Sequence, residues 1–423
     1  MKIILAVVLF LVSGGLVGQT PAQQTPPGIT QIEYRPGARP DRIVLTITGD
    51  PLHQRTVTWR TNGESGILQL ASTSSDAEFY KKDHAYTSMT HSYSTFSGDL
   101  AVYHRVDLDS LVADSWYSYR VGDGSFWSEW FDFKTTGDNS NESWEMVFLG
   151  DAQNDLYSTW SRVFRAAMKK APDAELVLHA GDLINHSLND YEWAEWFYAG
   201  GPWFAEYPQL AVPGNHEYIK NEEGVKLGIS PLWGAQFNFP KNGPEGLEDQ
   251  AYYLDYRDVR FIALDSNGEL EKQTRWLKQI LQENPQKWTV AMFHHPVLSG
   301  AEDRVNEGVL NFWKPILDSM RVDLVLQGHD HVYARGNEAD SGLGKWNENS
   351  GTMYVVAVSG RKMYELGKLN WMQQKAQNTP TYQVIRFAED RLEFKAYSWD
   401  HRIFDQFVLI KNPNGPNLLV DNP

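Results

Sequence analysis

Val322-Asp323-Leu324-Val325-Leu326-Gln327-Gly328-His329-Asp330-His331 is the stretch on which the reading of this chain turns. It opens as an apolar run with no helical period, the pattern of a buried strand, and Gly328 permits a sharp turn where the run ends. Two imidazoles one residue apart on such a turn can aim into one cleft, and histidine is the commonest side-chain metal ligand. An isolated His-x-His is as often a polar loop as a site. Four further clusters of Asp, Asn and His upstream shift that balance toward a site.

Each cluster follows a strand-like run. Gly150-Asp151-Ala152-Gln153 comes after residues 144–149, and Gly181-Asp182-Leu183-Ile184-Asn185 after 175–179. Gly214-Asn215-His216-Glu217 follows Leu210-Ala211-Val212-Pro213, and Phe293-His294-His295-Pro296 closes the run that begins at Thr289. Another strand is expected at 260–264, with helices at 158–170, 191–198, 272–281 and 309–319. This alternation predicts an α/β domain with largely parallel strands. Ligands of open α/β sheets bind beyond the carboxyl ends of the strands, so all five clusters are expected to converge there. Residues 353–358, 382–388, 391–399 and 403–410 read as consecutive strands, which implies a second sheet packed on the first.

Upstream the grammar is different. Ile43-Val44-Leu45-Thr46-Ile47, Thr56-Val57-Thr58-Trp59 and the runs 67–70, 101–106 and 116–121 are short, rich in β-branched and aromatic residues, and separated by turn residues. Their spacing predicts a small all-β sandwich of the immunoglobulin or fibronectin type over residues 28–137, with Trp59 in its core. His53, His84, His91 and His104 have no mutual spacing and read as structural. Residues 138–142 are the expected linker.

A length of 423 residues suggests two domains. The formal charge of -16 argues against bulk attraction to nucleic acid or an anionic membrane. It leaves a small anionic substrate open, because bound metal cations would dominate the local field. Met1-Lys2, an apolar run and small residues up to Gly18 form the pattern of a secretory signal peptide over residues 1–19, followed by a Pro/Gln/Thr-rich tether at 20–27. The absence of cysteine rules out disulfides and a lipid-linked cysteine. The expectation is an exported protein, periplasmic or extracellular, of a bacterial envelope, with no membrane span after leader cleavage.

The five clusters, in this order, resemble those of the metallophosphoesterase (calcineurin-like) superfamily, and its purple acid phosphatase branch most closely. Gly328-His329-Asp330-His331-Val332-Tyr333-Ala334-Arg335 is similar to that branch's G-H-x-H-x-Y-x-R, and the branch also carries a fibronectin-like domain ahead of the motifs. The resemblance implies a four-layer α/β/β/α sandwich over residues 143–411, with 412–423 as a tail. It further implies two adjacent divalent or mixed-valence ions, of iron, zinc or manganese. Asp182 would bridge them, Asp151 and His331 would complete the first site, and Asn215, His294 and His329 the second. His216 matches a family histidine that contacts phosphate or protonates the leaving group; the plainer alternative is an orienting role. Glu217 and His179 are expected as partners behind the ligands.

Two positions depart from the family. Where the branch has a tyrosine whose phenolate colours the ferric ion, this chain has Asn185, followed by His186. Where other members have a histidine after the first aspartate, it has Gln153. Asn185 or Gln153 is expected to offer a carbonyl oxygen instead. His294 and His295 are adjacent, so they are expected to point apart, with His294 the ligand and His295 a substrate contact or structural. Arg335 is a substrate contact or the partner of an acid. Trp203, Trp233 and Tyr364 are candidate pocket walls, and residues 340–350 a surface loop near the site. The leading expectation is a secreted dinuclear phosphomonoesterase acting on a small phosphorylated substrate. The alternatives are a phosphodiesterase on the same site, or a surface-binding protein with a decayed site.

Overall fold

The computed structural model describes residues 33–95, 98–138, 142–336 and 351–421. The expected leader, the tether and the loop 340–350 lie outside these residues. Among those described, no helix is long and apolar enough to cross a membrane.

The β domain is two four-stranded antiparallel sheets. One has the order Asp41–Thr46, Arg55–Thr61, Leu100–Leu108, Met89–Ser94; the other His84–Thr87, Ile67–Ser72, Trp116–Gly122, Phe131–Lys134. Leu45, Val57, Trp59, Leu68, Tyr119, Val121 and Phe133 meet between them. The strands His84–Thr87 and Met89–Ser94 were not expected from the sequence. Both are edge strands with mostly exposed side chains, so they carry no apolar alternation to read.

Two seven-stranded sheets and a two-stranded hairpin, Tyr218–Lys220 with Lys226–Ile229, hold the remaining strands. The first runs Gln209–Ala211, Leu176–His179, Trp144–Leu149, Thr381–Phe387, Arg391–Ser398, Ile403–Ile410, Leu418–Asp421. The second runs Tyr252–Tyr256, Val259–Ala263, Trp288–Met292, Leu324–Gln327, Met353–Val356, Tyr333–Gly336, Met372–Ala376. The strands that lead into the ligand clusters pair parallel with one another, as expected. The flanks are antiparallel, so both sheets are mixed rather than largely parallel. Short reversals suffice for antiparallel pairing, whereas each parallel pair needs a crossover. Leu418–Asp421 pairs with Ile403–Ile410, so the expected tail contributes an edge strand.

Alternation along the strands explains the four layers. Met292, Leu324 and Leu326 join Met146, Phe148 and Ile385 in the core between the sheets. Their neighbours Ala291, Phe293 and Val325 face Leu277, Ile280, Val309 and Leu317 of the outer helices. The helices Ser161–Lys170 and Asp190–Gly200 cover the other sheet. The helix expected at 309–319 is two short ones, Glu307–Phe312 and Lys314–Ser319, because Pro315 has no N–H to continue the first and suits the start of the second. The β domain is fastened to this body by Asp190, which pairs with Arg42 at 2.6 Å and Arg60 at 2.8 Å.

Candidate metal centre

The strand-end residues carry the turn in their own backbones. Asp151, Asp182 and His329 have φ of 42°, 50° and 67°, a left-handed conformation uncommon for residues with a Cβ and often found where function requires strain. The neighbouring glycines act by close approach. A Cβ on Gly214 would overlap Asp182 Oδ1, and one on Gly328 would overlap Asp151 Oδ2.

This packing gathers two groups of ligating atoms. Asp151, Asp182 and His331 form one, and His294, His295 and His329 the other, with the atoms of each group within 4.8 Å of one another. The groups touch where His294 Nε2 lies 3.2 Å from Asp182 Oδ2. The same nitrogen is 3.3 Å from Asn215 Oδ1 and 3.1 Å from His329 Nδ1. His331 Nε2 is 3.6 Å from Asp151 Oδ1.

Partners behind the site fix which nitrogen faces inward. His294 Nδ1 donates to the Ala180 carbonyl at 2.8 Å, and His331 Nδ1 to the Lys362 carbonyl at 2.8 Å, so each Nε2 is presented to the cleft. Glu217 is fully buried and accepts from the backbone N–H groups of Asp182, Leu183 and Gly214. It thereby ties the ends of two neighbouring strands. Asp182 Oδ1 accepts from the His216 N–H at 2.9 Å, and Asp151 Oδ2 from the His329 N–H at 2.7 Å.

The residues fit a cation. Asp151 Oδ1 and Gln153 Oε1 are buried with no hydrogen-bond partner among the described residues, which costs free energy that an ion would offset. Burial, then the Asp182 charge, push the Asp151 carboxyl well up despite His294. Burial works against a charged His294, but Asp182 and Asp151 raise it to about 9, so the site draws positive charge to this point. Burial holds His331 down at about 3, helped by the Lys362 charge. Burial also lowers His329 and His295, with His294 adding to it, so these rings are neutral and their lone pairs are available.

Several expectations need correcting. Asn185 turns its side chain to His186, and its backbone carbonyl accepts from His216 Nδ1 at 2.6 Å. Asn185 is therefore an anchor for His216 rather than a ligand. Gln153 stands beside the ligands but turns its amide nitrogen to them, Nε2 lying 3.0 Å from Asp182 Oδ2 and 3.1 Å from His331 Nε2, in place of the expected carbonyl oxygen. His294 and His295 do not point apart. Both rings face the site, His295 lying 4.3 Å from the His329 ring with its Nδ1 2.8 Å from Ser266 Oγ. They stand beyond the strand Trp288–Met292, where two-residue alternation no longer applies. Arg335 is not a substrate contact: it is fully buried and paired with Asp405 and Asp421, both at 2.7 Å. His179 is a core residue, bonded to Gln209 at 2.9 Å beside Trp196 and Phe204. Trp233 is likewise core and Trp203 packs against it, whereas Tyr364 lines the cleft.

The cleft has a volume of about 380 Å³, and Lys220, Lys226, Arg304 and Lys362 line it along with the ligands, His216 and His295. The sequence reading missed these cations. Lys220 and Lys226 stand on a hairpin after the Asn215-His216 cluster and Arg304 and Lys362 on loops, positions that many surface cations share. Arg304 is held by Asp330, whose other oxygen accepts from Ser299 Oγ and the Gly300 N–H.

Residues 146–333 match the calcineurin-like phosphoesterase family, and residues 40–135 the N-terminal domain of purple acid phosphatases. Purple acid phosphatase 23 of Arabidopsis thaliana is 24% identical over 56% of this chain and 58% of its own length. Purple acid phosphatase 22 of the same plant is 25% identical over 62% of this chain and 61% of its own. The chain thus spans about three fifths of these relatives. A phosphoenolpyruvate phosphatase of Allium cepa is 21% identical over 86% of this chain and 77% of its own. Among solved structures, a purple acid phosphatase from yellow lupin (Lupinus luteus) seeds superposes with a TM-score of 0.71 at 16% identity, covering 89% of this chain and 75% of that one. These likenesses account for the four-layer fold and its β domain.

Proposed function

We infer that this chain, a calcineurin-like phosphoesterase domain behind a purple acid phosphatase N-terminal domain, is a metal-dependent hydrolase of phosphomonoesters. The observation that carries the reading is the shared position of Asp182, whose carboxylate touches both groups of ligating atoms. Asp151, Asp182 and His331, with Gln153 beside them, would hold one ion; Asn215, His294 and His329 would hold the second, with Asp182 common to both. Carboxylate, carboxamide and imidazole together suit iron, zinc or manganese. When bound, such a pair supplies an activated water and a clamp for phosphoryl oxygens.

The chain's own groups do the rest. The Asn185 carbonyl holds His216 Nδ1, leaving Nε2 on the cleft side, 3.9 Å from Asp182 Oδ2, to pass a proton to the leaving oxygen. His295, braced by Ser266, offers its ring to the phosphate. Glu217 fixes the strand ends on which Asp182 and Asn215 stand. With Asn185 in place of the branch's tyrosine and turned away, the iron-loaded protein lacks a phenolate and its violet band. The leader pattern in residues 1–19 supports export.

The test restores each metal to apoprotein and compares an aryl phosphate with its bis-aryl diester. The monoester is expected to be the faster substrate with two ions bound per chain. A faster diester would assign the site to phosphodiesters, and full activity with one ion would remove the dinuclear reading. His216→Ala is expected to keep both metals and slow turnover roughly 10²–10⁴-fold on an alkyl phosphate, with a much smaller loss on nitrophenyl phosphate, whose leaving group needs no proton. Equal losses on both would make His216 a phosphate contact.

A further inference from the structure

We propose that the preferred substrates carry a second phosphate on the leaving group, bound by Lys220, Lys226 and Lys362 beside His216. The inference rests on the phosphomonoesterase reading and names its substrate class. The chain as a whole is acidic, with a formal charge of -16, yet its ligand-bearing cleft is lined by four cationic side chains. Three separate segments deliver them. Lys220 and Lys226 stand on the hairpin Tyr218–Lys220 and Lys226–Ile229 that follows Asn215 and His216; Arg304 and Lys362 come from loops of their own.

Arg304 is already neutralised by Asp330, at 2.9 Å. Among the described residues, Lys220 and Lys362 make no ion pair, and Lys226 donates to the neutral side chain of Asn267 at 2.6 Å. Glu222 and Glu223 occupy the exposed hairpin turn but do not line the cleft. Two metal ions with Asp151 and Asp182 already balance a phosphate dianion, and Asp265 stands behind Lys226 through Asn267, so the Lys220 and Lys362 ammonium groups exceed what one phosphate needs. Unpaired cations converging on a substrate cleft are the arrangement that recognises additional anionic oxygens.

The geometry also gives a direction. The flank beyond Arg304 is lined by Asp303 and Glu307, which repel an anion. Lys220 and Lys226 lie on the His216 side: their hairpin begins at Tyr218, two residues after His216, and Lys362 lines the same cleft. The group His216 protonates is the leaving group, so the second phosphate belongs to that part of the substrate. No new chemical step is required; the P–O bond to the leaving oxygen breaks as for any monoester, and the product alcohol departs still phosphorylated.

Butane-1,4-diol bisphosphate and its monophosphate form a matched pair. With metal-loaded protein at low salt, kcat/KM for the bisphosphate should exceed that for the monophosphate by about tenfold or more, in line with charge-assisted hydrogen bonds to the added phosphate. The ratio should fall as salt screens the lysines, and approach one in Lys220→Ser/Lys362→Ser. Use of the ratio cancels any general loss of activity in the variant, and the salt series tests the idea on the native chain should the variant fold poorly. A native ratio near one, or a ratio unmoved by salt and by the double substitution, would overturn this inference and leave the hydrolase reading standing. No turnover of either diol ester or of nitrophenyl phosphate by metal-loaded protein would take both down.

Discussion

His104 in the β domain and His294 in the α/β domain are equally buried, and their surroundings shift their pKa values in opposite directions. His104 sits mid-strand, its nitrogens 2.8 Å from Thr61 Oγ1 and 3.1 Å from Ser88 Oγ, its ring stacked on Trp59 at 5.0 Å. Hydroxyl groups satisfy a neutral ring, and burial lowers its pKa to about 4. His294 lies past the end of a strand, with Asp182 against Nε2 and Asp151 beyond, and is raised to about 9 despite the same burial. The difference teaches that burial alone does not make a histidine functional. What matters is whether carboxylates share the buried space and leave it short of positive charge.

The largest effect follows from removing the residue that creates the difference. Asp182→Ala would leave His294 in surroundings closer to those of His104. Activity should fall to background, and metal content to one ion per chain or fewer by elemental analysis. Retention of two ions would show that Asp182 does not bridge them.

Arg335 supplies the contrasting case of buried charge with no open site. Arg335→Met leaves Asp405 buried without its cation, which should cost about 3–5 kcal/mol in urea unfolding, as for other broken buried pairs. KM for an aryl phosphate should stay within about twofold in the folded variant, because Arg335 does not line the cleft. A large rise in KM with little loss of stability would restore Arg335 as a substrate contact.

Glu217→Gln probes the support behind the metals rather than the metals themselves. It keeps the shape but replaces one acceptor oxygen with a donor facing backbone N–H groups. Metal affinity or kcat/KM should fall about 10–100-fold, the usual effect of disturbing outer partners of a metal site. Unchanged metal affinity and rate would mean the strand ends hold their positions without it.

The smallest effect belongs to His104 itself. Its folded pKa of about 4 lies below the unfolded value of about 6.5, so on acidification the unfolded chain binds the proton first. The contribution is intact above about pH 6.5 and is lost as pH falls toward 4, amounting to about 2 kcal/mol by pH 4.5. His104→Gln, which does not titrate, should lose correspondingly less stability than the parent between pH 7 and pH 4.5 in urea midpoints. An identical pH dependence would show that His104 is protonated without penalty.

Sequence by itself determined the strand-end clusters and the division into a β and an α/β part. Apolar runs of strand length followed by Gly-Asp, Gly-Asn or Gly-His are local patterns, and chain connectivity alone carries Asp151, Asp182, Asn215 and His329 to the ends of their strands. Trp59 was likewise legible as core from its place in an alternating strand. Only the tertiary structure decided who meets whom across space. Arg335 finds Asp405 seventy residues away, Asn185 turns outward and lends His216 its carbonyl, and Glu217 spans two strand ends. His295 joins the site because it stands where strand alternation has already ended. Lys220, Lys226 and Lys362 become a group only when a hairpin and a distant loop fold over the same cleft. No period or spacing in the chain encodes such meetings, because each is set by the packing of layers whose contacts are far apart in sequence.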